Sequence, residues 1–197
     1  MGFRWEYTQY DQNADHGDFM EDIMSRFVGS FTAFTTLLFS AQVSAQQLAP
    51  LPAGVPEKMP FDIPYGVAIS MDTAKKAVEA AIAESAKRGW KMAVAVVSPS
   101  GDLIYFAKMD DTQLISSDIA PKKARTAAKF RRETKVFFEA MESGHPYVAT
   151  LDPDVVASPG GIPIVLDNKL IGGIGCSGGI GSQDAVVCQA GIDAISK

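Results

Sequence analysis

The chain reads as an α+β domain built on a largely antiparallel sheet packed with helices. Two observations predict this. Apolar, β-branched runs come in adjacent pairs joined by short turns, at residues 92–109 and again at 162–174, and strands joined so tightly must run antiparallel. Around those pairs, small apolar residues recur at three- and four-residue spacing, as helices with one buried face require. The element order is therefore α-β-β-α-α-β-β-α, and a doubly wound parallel sheet is disfavoured.

The first helix starts at Ser70-Met71-Asp72, with Ser70 or Asp72 as its cap, and Gly89 stops it. Ala74, Ala77, Val78, Ala81 and Ile82 form its inner face. Most of these are alanine, so a partner can approach closely. Residues 92–97 (MAVAVV) are a short buried strand, Pro99-Ser100-Gly101-Asp102 a turn, and residues 103–109 the returning strand. Ser116 or Ser117 is expected to cap a helix running to about Phe130, with Pro121 tolerated in its first turn. Ile119, Ala120, Ala124, Ala127 and Ala128 form its packing face. Residues 134–143 make a further helix, broken by Gly144-His145-Pro146, and residues 152–159 are a loop. The second strand pair turns at Asp167-Asn168. A glycine-rich corner from Gly172 to Gly181 leads into a last helix, with Ser182 able to cap it and Asp184 in its first turn.

Upstream, residues 46–69 carry Pro50, Pro52, Pro56, Pro60 and Pro64, a spacing that forbids helix and gives an extended arm. Such an arm packs on its own domain or reaches a neighbouring subunit. Residues 24–45 read as a secretory signal peptide: Met24-Ser25-Arg26, an apolar run, then the small-residue stretch AQVSA. A retained anchor is the alternative. The acidic residues 1–23 suit export poorly and point to Met24 as the true initiator. The expected product is a secreted or periplasmic protein, free of the membrane after cleavage. Residues 1–45 hold two of 18 basic and six of 23 acidic residues, so the remainder carries 16 against 17, and the net charge falls from −5 to −1. That balance, with export, argues against nucleic acid. Cys176 and Cys188 read as small buried residues, with a disulfide as the alternative that an oxidising compartment permits.

From Gly160 onward, GG-IPIV, IGGIG-CSGG and QDAVVCQAGIDAI closely resemble the C-terminal signature of the GlcG/HbpS family, the haem-binding or haem-degrading domain. The segment KARTAAKF at residues 123–130, followed by Arg132-Glu133-Thr134, resembles that family's K-A-x-T-A-A-x-F and R-x-T run. Lys108-Met109-Asp110 stands where the family has an R-M-D-like strand end. The resemblance reaches back to about Met71. It implies a GlcG-like fold over residues 70–197, binding of haem or a related tetrapyrrole, and a homo-oligomer with the ligand where subunits meet. The family commonly places valine at the position of Cys176, which favours the packing reading there.

The candidate site residues follow from both sources. Lys122, Arg125, Lys129 and Arg132 recur on one helical face, and such a face binds carboxylates such as haem propionates, unless it is simply solvated. Phe130 and the glycine corner would wall the macrocycle, and Gly160 and Gly161 are further candidate binding residues. The resemblance implies a threonine at the iron, which maps to Thr126; the bland alternative is a hydroxyl bonding back to its own helix. His145 is the second candidate iron ligand, at a subunit interface; Met109, Tyr105 and Tyr147 are less specific ones. With His16 in the leader, one histidine remains, which excludes a multi-histidine zinc site within one chain. Gly173, Gly175 and Gly178 match G-x-G-x-x-G by spacing, but they follow a hairpin strand, which disfavours a nucleotide. Two other functions stay open: an enzyme or accessory subunit acting on a small organic acid through the same basic face and Gly160–Gly161 without iron, and a structural oligomer without ligand.

Overall fold

Alternation along one buried strand decides how this molecule is layered. Strand β1 (Ala93–Val97) is buried along its whole length. Its Val94 and Val96 point into one apolar cluster, and its Ala93, Ala95 and Val97 into another. Both faces of the sheet must therefore be covered. The computed structural model describes residues 50–196, and the leader and export segment expected in residues 1–45 lie outside them.

Helix α1 (Met71–Lys87) and the C-terminal helix α4 (Gly181–Ile195) cover the valine face, with Ala74, Ala77, Val78, Ala81, Val187 and Cys188 against Ile174 and Cys176. Helix α2 (Ser116–Phe130) covers the alanine face through Ala120, Ala124 and Ala128. Helix α3 (Thr134–Glu142) and a 3₁₀ turn (Pro146–Thr150) follow, the turn forming at the break expected from Gly144-His145-Pro146. Strands β2 (Leu103–Lys108), β3 (Gly161–Leu166) and β4 (Lys169–Ser177) complete a sheet of order β2-β1-β4-β3 in which every pair is antiparallel. The chain is thus α+β in the expected element order.

Local chemistry explains most boundaries. Ser70 caps α1, its Oγ accepting from the Thr73 amide at 3.2 Å. Asp167 and Asn168 both sit at positive φ, 49° and 57°, which matches the right-handed twist of a tight hairpin. Two expected caps are corrected. Helix α2 begins after Ile115, and Ser116 lies inside it, buried with its Oγ 3.3 Å from Ser177 Oγ. Helix α4 begins after Ile180, and the Gln183 side chain rather than Ser182 accepts the Ile180 amide at 3.1 Å. Cys176 of β4 and Cys188 of α4 form a disulfide, so the reading as two reduced packing residues is corrected too. Their Cα atoms lie 5.7 Å apart, within ordinary bridging range, because α4 packs directly over β4.

The glycines of β4 set the depth of α2. A Cβ on Gly175 would strike the Ala120 carbonyl, and one on Gly173 the Ala124 carbonyl. With alanines above and glycines below, helix and sheet backbones meet directly. Within the glycine cluster, Gly173 and Gly175 thus lie directly under α2.

Candidate functional site

That close seat of α2 fixes where its charged residues go. Ala120, Ala124 and Ala128 are inside, so Lys122 and Lys129 are turned towards solvent. The helix ends at Phe130 because Arg131 adopts a left-handed conformation, φ 55°. Arg132 thus leaves the helical face on which its spacing had placed it.

The turn gathers Lys129, Phe130, Arg131 and Arg132 at one corner, and the arm crosses it. A cleft of about 360 Å³ is lined there by these four residues with Met59, Phe61 and Tyr65. The Arg132 guanidinium lies 4.2 Å from the Phe61 ring, 5.0 Å from Phe137 and 5.7 Å from Phe130. Its Nε is buried without a hydrogen-bond partner. Burial pushes the Arg132 pKa below the ordinary arginine value, the neighbouring Arg131 charge pushes the same way, and Tyr147 opposes them. Arg131 lies 5.4 Å from the Tyr65 ring and donates to Ile63 O at 3.1 Å; Tyr65 Oη donates to Lys129 O at 3.0 Å. His145 precedes the 3₁₀ turn, exposed, its ring edge-on to Tyr147 at 6.2 Å.

The other sequence-named residues serve the frame. Thr126 is only 3% exposed. Its hydroxyl donates to Lys122 O at 2.9 Å and accepts from the Val156 amide at 3.2 Å, with Asp154 O at 3.3 Å. It bonds back to its own helix and also fastens the 152–156 loop. Arg125 donates through Nε to Gly101 O at 3.0 Å, tying α2 to the β1–β2 turn. Gly160 and Gly161 are buried; a Cβ on Gly161 would meet Lys123 O, and one on Gly160 would meet Asp184. Tyr105 and Met109 pack against the cluster on the α1 side, on the sheet face opposite α2. Among the described residues no three of His, Cys, Asp and Glu gather as a metal site.

The site expected from the sequence did not include Lys123, Phe61, Tyr65 or Arg131, although Lys123 and Arg131 belong to its basic run. Lys123 is 2% exposed, and its Nζ donates to Asp184 Oδ2 and to Pro159 O, each at 2.7 Å. Asp184 Oδ1 accepts from the Gly179 amide at 3.0 Å. Burial pushes Lys123 down and Asp184 up, each opposed by the other's charge. A signal for Lys123 existed: it stands three residues after Ala120 and four before Ala127, on the alanine face. Phe61 and Tyr65 gave none, because an extended proline-rich arm has no periodicity to show which side packs.

The comparisons with known proteins follow this geometry. A family model described as "Haem degrading protein HbpS-like" matches residues 69–193. Protein GlcG of Escherichia coli K12 is 37% identical over 111 residues, covering 56% of this chain and 82% of GlcG. Corrinoid adenosyltransferase PduO of Salmonella typhimurium LT2 is 32% identical over 133 residues, 66% of this chain and 40% of PduO. Among solved structures, the PduOC:Heme complex superposes with a TM-score of 0.62 at 32% identity, covering 66% of this chain and 96% of that one. A double mutant of Streptomyces reticuli HbpS gives 0.63 at 25% identity, covering 77% and 99%. With the model spanning well over half of its length, and the fold agreeing, the chain belongs to the HbpS-like family.

Proposed function

We propose that this protein binds haem in the cleft between the arm and the C-terminal end of α2. The observation that carries the reading is the pairing of three cations, Lys129, Arg131 and Arg132, with the rings of Tyr65 and Phe130 in one cleft. A flat, apolar ligand with carboxylates at its edge needs an aromatic wall and a cationic rim together. The residues fit such a group on a second count. The unpartnered Nε of Arg132 is a buried donor that costs about 1–3 kcal/mol until an acceptor meets it. Membership of the HbpS-like family and the similarity to the PduOC:Heme complex support the same reading.

Bound haem would supply a redox-active iron; the chain supplies its hold on the propionates and its shielding from water. Among the described residues His145 is the one imidazole, its ring edge-on to Tyr147. It is the residue we assign to the iron. Thr126 is set aside, since its hydroxyl is already engaged on three backbone groups. We further infer that the protein works in an oxidising compartment outside the cytosol, on the strength of the Cys176–Cys188 disulfide. Assembly as a homo-oligomer is supported by large apolar side chains left in solvent, Leu114 and Val67 above all, at 87% and 88% exposure.

Titration of the full chain with hemin, followed by the Soret band, tests the reading. Saturable one-to-one binding is expected, weakened about tenfold or more in Arg132→Met by loss of a charge-assisted contact. His145→Ala should shift the Soret maximum. An unsaturable rise, unchanged by either substitution, overturns the proposal. A thermal shift with small carboxylates in that case favours the organic-acid reading.

A further inference from the structure

Resting on that haem reading, we propose that residues 59–63 form a strap over the cleft, hinged at residues 64–69, which an incoming ligand must displace. The hinge is built into the sheet. Gly66 N donates to Leu170 O at 2.7 Å, Leu170 N to Pro64 O at 2.8 Å, and Ile69 N to Ile171 O at 2.8 Å. These bonds lay the arm beside β4 where that strand extends past its pairing with β1. Upstream of the strap, residues 50–58 are all exposed. The strap is therefore anchored at one end, and at the other is held by what it touches in the cleft.

What it touches is the site's own charge. Phe61 covers the Arg132 guanidinium and Ile63 O takes the Arg131 donor, while Tyr65 at the hinge donates to the Lys129 backbone carbonyl. Arg131 and Arg132 are cations a propionate would use. The strap also holds Phe61 at φ 61°, in the left-handed region where a bulky side chain is disfavoured. Opening releases that conformation and uncovers the Arg132 side chain, whose Nε lacks a partner in the closed state. Closure therefore depends on a cation–π contact and one hydrogen bond, set against backbone strain and an unpaired donor. Such a balance is readily tipped by an anion. While the strap is down, apparent affinity is reduced by the fraction of molecules that are open.

Stopped-flow and equilibrium hemin binding to the full chain, with Phe61→Ala and Phe61→Leu, tests this. Phe61→Ala should bind faster and about tenfold tighter, the size of a lost cation–π contact, and Phe61→Leu should fall between. In the wild type, chymotryptic cleavage after Phe61 should speed up when hemin is bound. Weaker binding in Phe61→Ala would make the ring a ligand wall and overturn the strap. Saturable binding that is equal in all three proteins, with cleavage unchanged or slowed by hemin, overturns the strap and leaves the haem reading standing. Absence of saturable binding in all three overturns the haem reading, and the strap with it.

Discussion

Lys123 and Asp184 make an ion pair with almost no solvent on it, and its energetics can be worked from three contacts. Nζ meets Oδ2 and Pro159 O at 2.7 Å each, Oδ1 meets the Gly179 amide at 3.0 Å, and the two side chains are 2% and 3% exposed. Lys123→Met leaves a buried carboxylate with a single amide donor; Asp184→Leu leaves a buried ammonium with a single carbonyl. Each should cost about 4 kcal/mol, within the range for a buried charge that loses its partner. The double substitution removes both charges and strands only Pro159 O and the Gly179 amide, at about 1–2 kcal/mol apiece, or roughly 3 kcal/mol in all. Against a sum of about 8 kcal/mol for the single variants, the coupling is about 5 kcal/mol. Urea unfolding of the four proteins at pH 7 measures it. Additivity within about 0.5 kcal/mol, or single losses under about 1.5 kcal/mol, would refute the picture of a dry, mutually dependent pair.

The same pair fixes a pH dependence. Burial raises the Asp184 pKa in the folded state, so between the unfolded carboxylate value of about 3.9 and the raised folded value the native state binds more protons. Stability then falls as pH rises through that window. Lys123 opposes this shift, so Lys123→Met should steepen the slope and be relatively less destabilised near pH 5 than at pH 7. A slope of the opposite sign would mean that charge pairing outweighs desolvation at Asp184.

Four other outcomes follow from the packing. Replacing the disulfide by Cys176→Val with Cys188→Ala should cost about 3 kcal/mol by the chain-entropy relation, since the cysteines are 12 residues apart; a melting temperature equal to the wild type's would refute it. Both sulfurs are buried, so thiol titration should find the bridge resistant to reductant until denaturant is added. Gly175→Ala should destabilise by about 3 kcal/mol or more, because its Cβ meets the Ala120 carbonyl and α2 must lift from the sheet; a neutral effect in urea unfolding would contradict that seat. Thr126→Val strands the Val156 amide and should cost about 1–3 kcal/mol while leaving the hemin Soret maximum in place; a shifted maximum would return the iron ligand to Thr126.

The contrast between what was and was not legible in the sequence is physical. The hairpins and the order of elements were legible because a strand has period two and a tight turn has few chemistries, as Asp167-Asn168 illustrates. The alanine face of α2 was legible for the same kind of reason. The two serine caps failed because a helix start is decided by side-chain contacts among neighbouring elements: Ser116 is drawn inside towards Ser177, and Gln183 reaches the Ile180 amide first. Cationic spacing overstated one face, since periodicity assumes a helix that continues, while the left-handed Arg131 ends it one residue before Arg132. The disulfide depended on how close α4 sits over β4, a distance no local pattern encodes. Of the site, Lys129, Phe130 and Arg132 were named in advance, yet the arm that meets them was not.

The single chain also leaves the proposed site incomplete, and that bears on assembly. Its cations all come from one wall, the end of α2, while Met59 is 76% exposed and Tyr65 51% exposed at the rim. A macrocycle laid on that wall would keep its second face in water, losing the apolar burial that gives tight binding, about 25 cal/mol for every Å² left uncovered. His145, the residue assigned to iron, is exposed rather than packed over the cleft. Both facts suit a second copy closing over the ligand. Hemin affinity should therefore rise with protein concentration, and sedimentation should show that hemin and the oligomer stabilise each other, as linkage requires. An affinity independent of protein concentration in a monomeric sample would show that one wall suffices, and would separate assembly from ligand binding altogether.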